Sequence, residues 1–364
     1  MSSTLIFLIV LSVLVVVHEY GHFIVARLVG IRVEKFSIGF GPVIFGKKFG
    51  ETEFCFSLLP LGGFVKLAGE NPNESQGQPW EFSSKSLLQK FAVVSAGPIM
   101  NAFLAFVLFT GVFMLGQPVM TTKVGKVLDG MPAKEAGLLP DDRILSVVTP
   151  AGEISVHTWE DLLKQIKDNP KELTLIVERE DHKKWFRLQP KIQETKDIFG
   201  KRVSHPFIGL APSGEIISVK SSFLSAMVQG AVRVVTLTQM ILTSLWAMAT
   251  GAMPFKESLT GPIGIFFMTK QAAQMGIAYL FYFMGSLSVS LFVLNILPIP
   301  VLDGGHILFI LLEKIKGKPL KESFKERMTQ GGLIALLLLM AVVIFQDLER
   351  FAIFENIKNF IVRK

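Results

Sequence analysis

The sequence predicts an α-helical polytopic membrane protein with four transmembrane helices, a membrane-associated β-hairpin and an inserted β-rich domain. Three observations carry this. Four stretches are long, apolar and almost free of charge, and about 20 such residues cross the hydrocarbon layer. A Gly- and Phe-rich segment with strand-like alternation follows the first of them. A charged block of about 100 residues, the size of one small domain, separates the second from the third. Composition agrees: of 364 residues half are apolar and 18% are charged, against about 25% charged in an average soluble domain. The single cysteine, Cys55, excludes a disulfide framework and a Cys-rich zinc module. The net charge of +7 does not point to nucleic acid, because the basic residues flank apolar segments and so bear on membrane orientation.

The elements follow in order. The first span covers 4–28, where only His18, Glu19 and His22 interrupt the apolar run before Arg27. It lacks the basic n-region and small-residue cleavage site of a signal peptide. Segment 36–67, with a turn near Gly46–Lys48, reads as a hairpin that enters the membrane where protein buries it or where it lines a wet cavity. The second span is 91–116 and closes the first part of the membrane core, 1–116. Within 117–220 the runs KVGKVL, DRILSVV, ELTLIVER and WFRLQP read as strands. HTWEDLLKQIKD between them is an amphipathic helix with Trp159, Leu162, Leu163 and Ile166 on one stripe. The second part of the core, 221–364, holds a weaker uncharged stretch within 222–252, a third span at 277–302 and a fourth at 328–346.

Lys and Arg set the orientation. Residues 27–90 carry eight and residues 313–327 carry six, which places both loops in the cytoplasm. The N-terminus, the 117–220 domain and the C-terminus then face outward. Four spans satisfy this parity and five do not, so 222–252 is expected along the outer interface or packed on the bundle.

The chemistry centres on His18-Glu19-Tyr20-Gly21-His22. On a helix, residues i and i+4 share a face, so both imidazoles reach one ion, and the adjacent Glu19 is placed as a general base. Zn2+ suits two imidazoles, one carboxylate and an open fourth position. Asp303 is the best third ligand, being the only carboxylate between Glu257 and Glu313. A helix from Thr4 to His22 rises about 27 Å, nearly the hydrocarbon thickness, and the third span ends at Asp303 on that same inner side. Pro298, Pro300, Gly304 and Gly305 break the helix there, as expected of backbone that lines a cavity. His306 is expected to pack or cap, and His157, His182 and His205 lie in the outer domain. Asn295 either holds substrate backbone or braces neighbouring helices. Gly97, Pro98 and Asn101 suit either a functional motif or a kinked, packed helix.

HEYGH in the first span and NILPIPVLDGG in a later one together resemble the site-2 protease family of intramembrane zinc metalloproteases, in its regulator-of-sigma-E branch. FSIGFGP, PLGGFVKLAGE, AGPIMN, SLTGPIGI and LDGGHILFILLEKIKG follow in family order. The resemblance implies His18, His22 and Asp303 as zinc ligands and Glu19 as catalytic base. It implies a bacterial inner membrane, and as substrates single-span proteins already trimmed outside, such as anti-sigma factors or remnant signal peptides. It also implies that 117–220 is a PDZ domain able to bind peptide C-termini. MPAKEAGLLPDDRILSVV carries that likeness, with Asp141 where the family has Gly, and there is room for one such domain where relatives of this branch carry two. The hairpin residues Gly39, Phe40, Gly41, Gly62 and Gly63, with Asn295, are the expected substrate contacts, an unwound segment pairing with a strand edge. Two other functions remain open. Intramembrane His and carboxylate groups also serve metal or proton transport, although Glu19 has no transport role and no inverted repeat is visible. A non-catalytic membrane-anchored adaptor is the other.

Overall fold

The computed structural model describes residues 2–71, 74–150, 152–196, 202–254 and 259–351. It divides into two compact units, one of Met1–Val112, Ser222–Trp246 and Pro254–Lys364, the other of Phe113–Ser221 with Ala247–Met253. The first unit opens with α1 (Ser3–Leu28), whose start is capped by the Ser2 hydroxyl accepting the Leu5 N–H. Antiparallel strands β1 (Val33–Phe49) and β2 (Thr52–Leu67) follow. The turn lies at Gly50–Glu51 and not near Gly46–Lys48. Gly50 takes φ 60°, which a tight hairpin turn requires, whereas Gly46 and Lys48 stay in the ladder opposite Cys55 and Glu53. The hairpin also curls: Lys35–Ile38 sit beside Glu53–Phe56 as well as beside Gly63–Lys66. Gly39 and Gly41, at φ 95° and 88°, supply the left-handed bends where the register shifts. The base of the hairpin packs Val33 and Leu67 against Ala26 and Val93. Its far half exposes Ile44 (69%), Phe45 (62%) and Leu58 (57%).

α2 (Leu87–Leu115) carries Pro98 in its interior. It crosses α1 closely: a Cβ on Gly21 would lie 2.4 Å from the Ala96 carbonyl oxygen, so only glycine permits the approach.

The inserted unit holds, in chain order, β3 (Gln117–Met120), β4 (Val124–Val127), a single-turn α3 (Pro132–Glu135), β5 (Arg143–Thr149), β6 (Gly152–Ser155), α4 (Trp159–Asp168), β7 (Leu173–Arg179), β8 (His182–Leu188), β9 (Lys191–Lys196), β10 (Arg202–Phe207), β11 (Leu210–Pro212) and β12 (Ile216–Val219). β6-β5-β7-β8 form a four-stranded sheet, and β11-β4, β12-β3 and β10-β9 form antiparallel pairs. One core unites Leu138, Ile144, Leu162 and Leu175. α4 starts with a capping box between Thr158 and Asp161. Trp159, Leu162 and Ile166 of the expected stripe are buried, while Leu163 lies at its edge, 49% exposed. Asp141 does adopt the left-handed conformation, φ 70°, that its place in the motif demands. Its neighbour Asp142 is buried against the Arg179 guanidinium, Oδ1 to Nε 2.6 Å.

The remaining helices return to the first unit, except for the last residues of α5 from Ala247 on: α5 (Phe223–Ala249), α6 (Pro262–Met275), α7 (Ile277–Ile296), α8 (Asp303–Lys316) and α9 (Glu322–Arg350). Five helices among the described residues are long and apolar enough to cross a membrane, not four; Phe223–Ala249 is the addition. Its hydroxyls suggested a weaker segment, but they turn back onto their own helix. Thr238 donates to the Val234 carbonyl, Thr243 to Gln239 and Ser244 to Met240, so their polarity is satisfied internally. The span expected to run to 302 ends at Ile296, because a helix stops at or before the residue preceding a proline and Pro298 follows Leu297. α7 packs Met284 on Val10 and Leu14 of α1, and Phe109 of α2 meets Tyr282 edge-on.

α6 begins at Gly261-Pro262, which offers no capping side chain of its own. Asp347 of α9 supplies it: the Gly261 and Gly264 N–H groups donate to its two oxygens at 3.2 and 2.8 Å. Asp347 is buried. Asp347→Ala strands both donors, a cost of about 2–3 kcal/mol. The expected result is a lower melting temperature of the full chain in detergent, by several degrees; an unchanged melting curve contradicts it.

Candidate metal centre

α1 delivers His18 and His22 one turn apart, and the turn Leu297–Leu302 delivers Asp303 at the start of α8. That turn demands its glycines. A Cβ on Gly304 would sit 2.1 Å from the Leu297 carbonyl oxygen, and one on Gly305 2.4 Å from that of Ile299. α9 secures the turn from outside, Thr329 donating to the Pro300 carbonyl at 3.3 Å.

The three ligand atoms converge. His18 Nε2 and His22 Nε2 are 3.2 Å apart, and Asp303 Oδ2 lies 3.1 Å from the first and 3.5 Å from the second. Two observations test whether a metal fits. Asp303 Oδ2 is buried and has no hydrogen-bond donor among the described residues, although a ring nitrogen stands 3.1 Å away. Gly97 of α2 lies against the two rings, and a Cβ there would fall 2.2 Å from His22 Nε2 and 2.8 Å from His18 Cε1, so glycine at this position keeps the ligating face of the rings uncovered by a side chain. A tetrahedral zinc with bonds near 2.0–2.1 Å holds its nitrogen and oxygen ligands roughly 3.3 Å apart, which matches the set. The residues fit the ion.

Behind the ligands, His22 Nδ1 donates to the Val93 carbonyl at 2.8 Å, leaving Nε2 free to ligate. Glu19 lines the same cavity, of about 610 Å³, beside Val65 of β2. His306 lines that cavity but packs edge-on against Phe309 and does not join the ligands. Of the expected substrate contacts, Gly63 adjoins the site, since a Cβ there would lie 3.3 Å from Glu19 Cγ. Phe40 stacks on Phe64, a cavity wall residue, and occupies the space that a side chain at Gly62 would need. Gly39 and Gly41 serve the bend. Asn295 lies outside the cavity lining and has no side-chain hydrogen bond among the described residues. Sequence reasoning passed over Glu70, which also lines the cavity and accepts the Leu67 N–H at 3.3 Å. It left Gly97 and Asn101 undecided, although their spacing of four already placed them on one helical face.

A helix-borne His-Glu-x-x-His joined by a carboxylate from a distant helix, within a bundle of apolar helices, defines a membrane-embedded zinc metallopeptidase. The chain belongs to peptidase family M50, whose sequence profile matches residues 6–339. It is 31% identical to the regulator of sigma-W protease RasP of Bacillus subtilis, over 96% of this chain and 99% of that protein. The zinc metalloprotease RasP of Bacillus licheniformis is 30% identical with the same coverage. Cj1068 of Campylobacter jejuni is 33% identical over 94% of this chain and 92% of its own length.

Proposed function

We propose that His18, His22 and Asp303 hold one zinc ion, that Glu19 is the catalytic base, and that the enzyme cuts a peptide bond within or near the transmembrane segment of a single-span substrate. The convergence of those three ligand atoms in one cavity with Glu19 carries the reading. Zinc bound here supplies a Lewis acid for the scissile carbonyl and makes water nucleophilic at neutral pH. Glu19 takes the proton of the attacking water and returns one to the leaving amine nitrogen. A helical peptide bond is shielded by its own turn, so the substrate unwinds before it is cut. The β2 edge at Gly63–Val65, beside Glu19, orients the unwound segment by strand addition, with Phe40 packing behind it and Asn295 engaging substrate backbone further along. Gly39, Gly41 and Gly62 shape that edge.

The exposed apolar half of the hairpin suits lipid, and its unpaired backbone is tolerable there beside the wet cavity. The lysines and arginines of 27–90 and 313–327 support a cytoplasmic site end, with the N-terminus, the inserted domain and the C-terminus outside a bacterial inner membrane. α1 and α7 both run toward the site and α2 runs away from it, so residues 115 and 277 belong to the outer side. α5 then begins and ends on that side as an interfacial helix, although it is long enough to cross. The inserted domain, read as PDZ-like on its MPAKEAGLLPDDRILSVV segment, admits substrates already trimmed outside and takes their new C-termini. The sigma-W regulator among the relatives supports membrane-anchored anti-sigma factors as substrates, with remnant signal peptides as a second source.

The test is cleavage of a single-span peptide by the purified full chain in detergent, with and without a chelator, beside metal analysis. The expected outcome is about one zinc per chain and cleavage that stops on chelation and returns with zinc. A zinc-free chain, or cleavage indifferent to the chelator, overturns the proposal.

A further inference from the structure

His22 has its second ring nitrogen fixed by a backbone carbonyl; His18 has no carbonyl in that role. Its Nδ1 instead meets the side-chain amide of Asn101, 3.1 Å from Nδ2. Asn101 is completely buried on α2, one turn beyond Gly97. Its backbone carbonyl accepts the Ser288 hydroxyl of α7 at 2.7 Å, which pins the residue between two helices. With the amide nitrogen toward the ring, Nδ1 must accept, the ring proton must sit on Nε2, and Nε2 cannot ligate. In the absence of an ion such an Nε2–H finds an acceptor in His22 Nε2, 3.2 Å away, but an ion held by both Nε2 atoms requires both to be free of protons. One fact favours the opposite orientation of the amide. The Asn101 Oδ1 atom is buried without a donor. The two ends of a carboxamide are nearly equal in shape. Exchanging them gives Oδ1 the Nδ1–H as its donor and frees Nε2.

We infer that Asn101 is a positioning residue that accepts the His18 Nδ1–H through its amide oxygen and so holds His18 in the metal-binding tautomer. The inference rests on the zinc reading above and adds the residue that completes it: each histidine is set by one acceptor from α2, Val93 for His22 and Asn101 for His18. An acceptor is needed at this position, not a donor. That requirement separates tautomer control from mere packing.

Zinc affinity of the full chain in detergent, measured by competition with a chromogenic chelator, tests it on three proteins. Asn101→Ala is expected to bind zinc about 10–100-fold more weakly than wild type. Asn101→Asp, which can only accept, is expected to stay within about threefold of wild type or to bind more tightly, as carboxylate–histidine–zinc arrangements do. If the amide nitrogen were the working end, Asn101→Asp would fall with Asn101→Ala, and that result overturns the inference. So does an alanine variant of unchanged affinity. A wild-type chain that binds no zinc overturns the zinc reading itself, and this inference with it. A packing role predicts equal losses for both variants; rescue by aspartate is the outcome that packing cannot produce.

Discussion

Glu19→Gln is expected to keep zinc at wild-type stoichiometry and to lose cleavage by about 10²–10⁴-fold, the usual contribution of a general base. Glutamine is nearly isosteric with glutamate, so the cavity that Glu19 lines keeps its shape. What it lacks is the capacity to take a proton from water. Zinc analysis and turnover on a single-span peptide, run on one preparation, give both numbers. The combination also sorts the rival functions. A transporter has no cleavage to lose, and an adaptor has neither zinc nor cleavage. Wild-type turnover in the glutamine variant would remove Glu19 from the chemistry.

Gly97→Ala is expected to act in two opposite directions. In a helix interior alanine is favoured over glycine by about 0.8–1 kcal/mol, so local stability should hold or rise. The new methyl, however, would stand 2.2 Å from His22 Nε2 and 2.6 Å from its Cε1. The ring must turn away, and in doing so it leaves both the ion space and the Val93 carbonyl. Zinc affinity should drop at least about tenfold, the scale on which mispositioned ligands are felt, with a melting temperature at or above wild type for the zinc-free chain. Full zinc binding in the alanine variant would mean that the ion does not lie between α1 and α2 at Gly97.

Much of the site was legible because its signals are local. His18, Glu19 and His22 share a helical face by spacing alone, and Asp303 stood out as a lone carboxylate after a long uncharged run. The Asp-Gly-Gly at the head of α8 announced a break, and the close carbonyls of Leu297 and Ile299 show why no side chain fits there. Signals that depend on partners far along the chain were weaker. Asn101 looks like any polar residue in a span until the His18 ring is beside it. The hairpin turn was misplaced because Gly46 and the two lysines imitate a turn, while the curl that returns Lys35–Ile38 to Glu53–Phe56 is a tertiary arrangement with no local signature. α5 was set aside as a span on the Lys and Arg parity, and its hydroxyls made it look weaker than it is, because composition counts them without knowing that they bond within their own helix.

The proposed ligand set is divided unevenly along the polypeptide. The first helix carries two donors and Glu19, and the third donor follows roughly 280 residues later, behind a whole folded insertion. Metal sites made from distant segments do not exist before those segments meet. On the proposed assignment, a ribosome-bound chain that has inserted only its first helices holds Glu19 without a complete cage for the ion. Peptidase capacity would then arrive only with the last helices, and biosynthesis itself would keep the chain inert until it is whole.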